Sequence, residues 1–259
     1  MSSSGMPRGR DTGEFYQRVL ERLNAAGAEY LIGGAYGLEH YTGIARHTKD
    51  VDVFVRPRDR DPVLAILAGA GYRTEVASPV WLAKAHSGDD FADVIFGSGN
   101  GVAIVDDGWF THARPGRVLG VDVRICPPEE TIWSKSFVLE RERYDGADIL
   151  HLVRACGRDL DWRRLLDRFG DHGAVLLSHL VLFRFVYPAE RALVPDGVLR
   201  DLFERLDRDA PPGRPCRGTL LSRRQYRVDL DEWGYADGRL APWGRLSPHD
   251  LETIDADLA

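Results

Sequence analysis

Hydrophobic and polar positions follow two rhythms along this chain, a mixed one up to about Ile125 and a helical one after it. From Glu14 to Ala26, Phe15, Val19, Leu20 and Leu23 recur at helical spacing ahead of Gly27, which predicts a first helix. AEYLIGG then reads as a short strand ending in glycines, and GLEHYTG as a short helix leading into the polar turn IARHTK. The segment DVDVFVRP alternates acid and valine up to Pro57, the pattern of a strand with one buried face. Asp59 to Ala68 predicts a further helix, closed by Gly69 and Gly71. Between Tyr72 and Ile125 the pattern is β-like, in WLAKAH, FADVIFG, GVAIVDD and VLGVDVRI, with turn-formers at Ser87-Gly88-Asp89 and from Gly97 to Gly101. Beyond Cys126 the period lengthens, and PPEETIWSKSFVLERER, DGADILHLVRA, DWRRLLDRF, HGAVLLSHLVLFRFVY and DGVLRDLFERL all suit helices. Residues 210–259 hold prolines, glycines and aromatic anchors around Trp233 with little periodicity. The chain therefore divides into an α/β core with a mixed sheet over residues 1–126, a helical region over 127–209 and a C-terminal extension over 210–259, without internal repeats.

Composition narrows the classes open to such a chain. At 259 residues with 44% apolar content it can bury a core of its own. A net charge of −6 and a pI near 5.8 speak against a protein that coats nucleic acid by charge, although a local basic groove is compatible with an acidic average. Of the 34 basic residues only Lys49, Lys84 and Lys135 are lysines, which reads as coding bias before function. Cys126, Cys156 and Cys216 are far apart, odd in number and without a CxxC or paired histidines, so neither a disulfide scaffold nor a structural zinc site is expected. The N-terminal MSSSGMPRGRDTGE has no apolar core of signal-peptide length, and the longest apolar stretch is broken by His179 and Arg184. These features predict a soluble cytoplasmic protein with no membrane partner.

The chemistry concentrates in DVDVFV. Asp50 and Asp52 fall on one face of the predicted strand, and Val51, Val53 and Val55 fall on the other. Residues two apart on a strand lie roughly 6.5 to 7 Å apart at Cα, and their carboxylates can converge on cations about 3.5 to 4 Å apart. Without cations the two acids would repel, so the pair calls for positive charge. Upstream, Gly33-Gly34 ends a strand and opens a helix, where unpaired N–H groups and the helix dipole favour an anion. Fifteen residues separate Gly34 from Asp50, and the turn between them carries Arg46, Thr48 and Lys49. A glycine pair alone, or DVD alone, says little. The ordered string GGAYGLEHYTGIARHTKDVDVFV joins an anion binder to a metal binder on neighbouring strands.

That string resembles the signature of the polymerase β nucleotidyltransferase superfamily, most of all the minimal bacterial nucleotidyltransferases whose motif runs GG, a short helix, then R-x-T-K-D-x-D. The matching positions are Gly33, Gly34, Arg46, Thr48, Lys49, Asp50 and Asp52. The similarity extends to ADV at Ala92 to Val94, where the family has a third acid, and to PEETIWSK followed by RYDGADILHL, so that it spans roughly residues 28–155. The resemblance implies an α/β (α+β) nucleotidyltransferase core that moves a nucleoside monophosphate from an NTP to a hydroxyl and releases pyrophosphate. It implies two Mg2+ ions, with Asp50 and Asp52 bridging both, and Asp93 binding the catalytic ion and taking the acceptor proton. Gly33, Gly34, Arg46, Thr48 and Lys49 would serve the nucleotide. The acceptor, whether a small molecule, RNA or protein hydroxyl, is not specified, and neither is the oligomeric state. Two other functions fit the same fold: a catalytically silent nucleotide-binding module, and an interaction protein of a toxin–antitoxin pair.

Other charged residues read as structural. Glu130 and Lys135 on one predicted helix suggest a surface ion pair, and Arg143, Asp145 and Asp148 suggest helix-end or packing charges. His172 and His179 lack a third ligand and read as core or surface histidines, and His40 and His47 as turn residues. Arg217, Arg223, Arg224 and Arg227 around Tyr226 could grip a polyanion, but Asp229, Asp231 and Glu232 follow at once, which suits a solvated mixed surface.

Overall fold

The computed structural model describes residues 10–206 and 212–256. The chain enters through helix α1 (Arg10–Ala25), strand β1 (Leu31–Ile32), helix α2 (Gly34–Thr42), strand β2 (Asp52–Phe54) and helix α3 (Arg60–Gly69). Strands β3 (Arg73–Ser78), β4 (Leu82–Ser87) and β5 (Asp90–Ile95) follow as an antiparallel meander, then the short helix α4 (Asp107–Thr111) and the hairpin of β6 (Arg114–Val118) and β7 (Val121–Ile125). The seven strands form one mixed sheet in the order β3-β4-β5-β2-β1-β7-β6. Strand β2 pairs antiparallel with β1 and parallel with β5, and β1 pairs parallel with β7. The mixed α/β architecture expected from the hydrophobic pattern is the one present.

Each face of the sheet buries a different half of the chain. Val51, Val53 and Val55, with Ala83, Ala85, Ala92 and Val94, pack against Phe15, Val19, Leu20 and Leu23 of α1 and Val63, Leu64 and Leu67 of α3. The opposite side carries the helical half: α5 (Pro128–Lys135), α6 (Gly146–Cys156), α7 (Trp162–Phe169), α8 (Gly173–Val186) and α9 (Asp196–Leu206). Leu31, Leu38, Trp109 and Phe110 lie in one continuous apolar cluster with Ile132, Ile149, Leu176, Leu180 and Phe183. The core therefore runs across Pro127 without a break. Among the described residues Trp162–Val186 is the one run long and apolar enough to cross a membrane, but Leu165, Phe169, Leu176, Leu180 and Phe183 along it are core residues. A tail of β8 (Pro215–Cys216), α10 (Arg227–Asp231), β9 (Ala236–Asp237) and α11 (Pro248–Ile254) completes the chain. The expected boundary at 209/210 falls among residues outside those described.

Three local readings differ from the pattern, each for a tertiary reason. GVAIVDD keeps a strand-like alternation, with Ala103 and Val105 buried, but forms no strand: the Val105 N–H bonds the Phe96 carbonyl just past β5 (3.3 Å), and the side chain of Asp106 caps α4 instead. The helix expected over 127–143 stops at Lys135, because the Leu139 N–H is taken by the Leu221 carbonyl of the tail (3.2 Å) and Leu139 bridges to Tyr144. Strand β3 leaves no distinct signal in the pattern, since it is an edge strand whose Arg73, Glu75 and Val76 lie exposed and show no clean alternation.

The shared core predicts that both halves unfold together. Trp109 is 1% exposed and stacks on Phe54 with ring centroids 5.5 Å apart. Trp109→Ala should lower stability by about 3 to 5 kcal/mol with an unchanged denaturant slope, in one transition by both circular dichroism and fluorescence. Two separated transitions would show that the halves have independent cores.

Candidate active site

Strand alternation sets the first two acids. Asp52 and Phe54 face the helical half, while Val51, Val53 and Val55 on the other face are fully buried. Parallel pairing of β2 with β5 brings Asp93 into register beside Asp52, so two carboxylates distant in sequence share one face of adjacent strands. Asp50 completes the group. The three residues offer carboxylate oxygens that all lie within 4.8 Å of one another. The Thr48 hydroxyl donates to the Asp50 carboxylate at 2.8 Å, which holds the turn before the strand.

The glycine pair is required by this packing before any ligand is considered. Gly34 has φ +54, and a Cβ placed there would stand 1.6 Å from Asp52 Oδ2. A Cβ at Gly33 would meet the Phe54 ring at 2.4 Å. The first turn of α2 is thereby pressed against the acids, and its first helical bond, from the Gly37 N–H to the Gly33 carbonyl, leaves the earlier N–H groups at the helix start. Positive dipole and negative carboxylates thus sit side by side.

Counter-charges come from elements that local sequence does not connect to the acids. Lys84 lies directly across from Asp93 in the β4–β5 register and donates to its Oδ1 at 2.6 Å. Lys135, at the end of α5, is held by Asp145 (2.8 Å) and Asp148 (3.0 Å), and Arg143 is held by Asp145 (3.1 Å). Burial pushes the Asp52 carboxyl up to about 7, with the charges of Asp50 and Asp93 adding to the rise and those of Lys135 and Arg143 opposing it. Burial also raises Asp93, outweighing the hydrogen bond and charge of Lys84. The Asp145 hydrogen bond raises Arg143, and the charges of Asp52 and Asp50 add to it. The cluster is short of positive charge.

Of the residues singled out from sequence, Gly33, Gly34, Asp50, Asp52 and Asp93 stand together and Thr48 supports them. Arg46 pairs with Asp148, which also holds Lys135, and Lys49 is exposed. The surface pair expected between Glu130 and Lys135 is not formed. Glu130 is fully buried and bound by Arg164 (2.5 Å) and Arg168 (3.0 Å), so it ties α5 to α7. Sequence reasoning misses Lys84, Lys135 and Arg143 as neighbours of the acids. The available signal is composition: in a chain that otherwise uses arginine, two of its three lysines neighbour the acid cluster.

Residues 16–108 match the family model described as aminoglycoside-2''-adenylyltransferase. No curated protein sequence matches. Among solved structures, the antibiotic-resistance factor ANT(2'')-Ia is 18% identical, over 65% of this chain and 96% of its own, with a TM-score of 0.47. The lincosamide antibiotic adenylyltransferase LnuA, in a lincomycin-bound structure, is 17% identical over 57% of this chain and 98% of its own, with a TM-score of 0.40. An antigenic nucleotidyltransferase-like protein from Paracoccidioides brasiliensis is 13% identical over 67% of this chain and 94% of its own, with a TM-score of 0.39. The stretch that the family model matches contains the glycine pair and all three acids, and the resemblance to polymerase β-type nucleotidyltransferases read from GG and D-x-D is met there by an adenylyltransferase family.

Proposed function

We propose that the chain transfers a nucleoside monophosphate from an NTP to a hydroxyl and releases pyrophosphate. The observation that carries this reading is the convergence of Asp50, Asp52 and Asp93 beside the start of α2. Three carboxylates on a wall backed by buried valines form a hard oxygen donor set whose negative charge Lys84, Lys135 and Arg143 only partly offset, and that fits magnesium. Asp50 and Asp52 would hold two Mg2+ ions, with Asp93 on one of them. Bound magnesium supplies charge neutralisation for the triphosphate and a lower pKa for the acceptor hydroxyl.

The remaining work falls to the protein's own groups. Gly34 and the N–H groups of the first turn of α2 receive phosphate oxygens, while Gly33, whose own N–H donates to the Asp52 carbonyl (3.1 Å), serves by letting that turn close on the acids. Lys135 and Arg143, positioned by Asp145 and Asp148, face the acids from the helical half and compensate phosphate charge. The acceptor oxygen bonds to the α-phosphorus as the α–β bridge breaks, pyrophosphate leaves, and Asp93 takes the proton. A carboxyl raised by burial is suited to that last step. Thr48 would serve by orienting Asp50, Arg46 by anchoring Asp148, and the exposed Lys49 beside Asp50 by meeting nucleotide charge. The description of the matched family names a small-molecule acceptor, and this favours a small molecule over RNA or a protein hydroxyl.

Incubation with each α-labelled NTP, magnesium and a cell extract should label one acceptor. Asp50→Asn and Asp52→Asn should each cut labelling at least about a hundredfold while the proteins stay folded, because the buried valines are untouched. Folded variants with near wild-type labelling would refute the reading.

Two further outcomes follow from the geometry. Gly34→Ala would drive its Cβ into Asp52, whereas a Cβ added at Gly43, with φ +70, would meet no atom within 4 Å. Both substitutions carry backbone strain of roughly 1 to 2 kcal/mol, to which the contact with Asp52 adds at Gly34, so Gly34→Ala should melt the lower of the two, and in protein that remains folded only Gly34→Ala should lose transfer, by at least about tenfold. Equal transfer in the two variants would contradict the role given to Gly34. The second outcome concerns pH in the presence of chelator. Folded Asp52 keeps its proton up to about pH 7, while the ordinary aspartate value is 3.8. Between those values the folded state binds more protons than the unfolded state, so the contribution of Asp52 to stability falls as pH rises. Denaturant midpoints of wild type relative to Asp52→Asn should therefore drop progressively from pH 4 to pH 7; a pH-independent difference would contradict the raised carboxyl.

A further inference from the structure

A cavity of about 420 Å³ lies between the β3–β4 edge of the sheet, the end of α5 and the C-terminal tail. Its apolar wall includes Trp81, Leu82, Phe137, Val138, Leu221 and Ile254. It shares two elements with the acid cluster. Leu82 lies on β4 two residues from Lys84 and on the same face, roughly 7 Å along the strand, and Ser134 adjoins Lys135 on α5. The volume suits a drug-sized ligand.

The charges at this cavity are already engaged by the protein. Among the described lining residues the one carboxylate is Glu140, which accepts from the Ser222 hydroxyl and from the Arg223 backbone N–H (3.3 Å). Arg239 is clamped by Asp237 and Asp255, each at 2.7 Å, and Arg223 donates to the Ile254 carbonyl. Polar side chains are likewise turned inward. Asn100 donates to the Leu220 carbonyl (2.7 Å), and Thr219 donates to the Cys216 carbonyl (3.0 Å) or to Asp237 (2.9 Å). Ser134 donates to the Thr131 carbonyl at 3.2 Å, and its oxygen lone pairs remain available to accept.

We propose that this cavity seats the acceptor, and that the acceptor is a small hydroxyl compound with a broad apolar face and at most one positive charge. This rests on the nucleotidyl-transfer reading and names its substrate class. A polyamine entering here would give up the hydration of several ammonium groups for one lining carboxylate that is already bonded, the guanidinium of Arg239 being neutralised by Asp237 and Asp255, whereas an apolar face would be desolvated against Trp81, Phe137, Val138 and Leu221. The family-model match ends at residue 108, so the description of the matched family does not reach α5, the loop after it or the tail, which together form most of this wall.

Lincomycin, singly basic with apolar alkyl groups, and tobramycin, a polyamine, serve as probes in calorimetric titrations of the full chain with magnesium and a non-hydrolysable ATP analogue. Lincomycin should bind at least tenfold more tightly than tobramycin. Val138→Trp and Leu221→Trp, each of which adds an indole to the cavity wall, should each weaken lincomycin at least tenfold and leave affinity for the ATP analogue unchanged. Tobramycin binding as tightly as lincomycin, absence of lincomycin binding, or lincomycin binding that survives in whichever filled variants fold would overturn the proposal. Nucleotide affinity is read in the same titrations. Its absence in wild type would remove the transfer reading, and the order of the two probes without nucleotide would still decide the class of ligand the cavity takes.

Discussion

The Asp52 carboxylate, pressed against the backbone of Gly34 and flanked by Asp50 and Asp93, is the constraint around which the rest is arranged. Three like charges on a wall backed by buried valines are costly, and the rise of the Asp52 carboxyl to about 7 reports that cost. The sheet imposes it through one choice of register. Parallel pairing of β2 with β5 sets Asp52 beside Asp93, and a slip by one residue would turn Asp93 to the α1/α3 side and bring Val94 in its place.

Positive charge arrives from outside the acid-bearing strands, and this gives the helical half its part in the site. Lys84 neutralises Asp93 from within the sheet. Lys135 and Arg143 belong to α5 and the loop after it, and Asp145 and Asp148 hold them there, with Arg46 bracing Asp148. The buried pairs of Glu129 and Glu130 with Arg164 fix α5 against α7. Breaking such a buried pair strands a charge, so its value lies in holding one arrangement more than in net stability. The same α5 that carries Lys135 also lines, through Ser134, the cavity between the sheet edge and the tail.

The part of the site that local pattern could show was legible in the sequence. Alternation in DVDVFV separated the acids from the valines, and the glycine pair announced a close approach, although the atoms that approach are Asp52 and Phe54 of the protein itself as well as any phosphate. Asp93 was indicated by the resemblance of ADV to the family's third acid and not by pattern, and the β2–β5 register sets it beside Asp52. What was not legible depended on contacts distant along the chain. Lys84 reads as an ordinary strand residue until β4 is paired with β5, and Lys135 reads as a partner for Glu130 until Arg164 is seen to claim that carboxylate. The early end of α5 and the non-strand course of GVAIVDD have the same origin, since the tail and α4 capture backbone that would otherwise continue its local pattern.

If repulsion among the acids is relieved by bound magnesium and nucleotide, the stability order of wild type and Asp52→Asn must invert with ligand. Thermal melts of both proteins at pH 7.5, first in chelator and then with magnesium and a non-hydrolysable NTP, measure this directly. With ligands at about ten times their Kd, wild type should gain roughly 1.4 kcal/mol, and the variant should gain little. The account predicts that Asp52→Asn melts at or above wild type in chelator and below it with ligand. A variant that melts lower in chelator and gains as much as wild type from metal and nucleotide would show Asp52 to be a structural residue and would contradict the account.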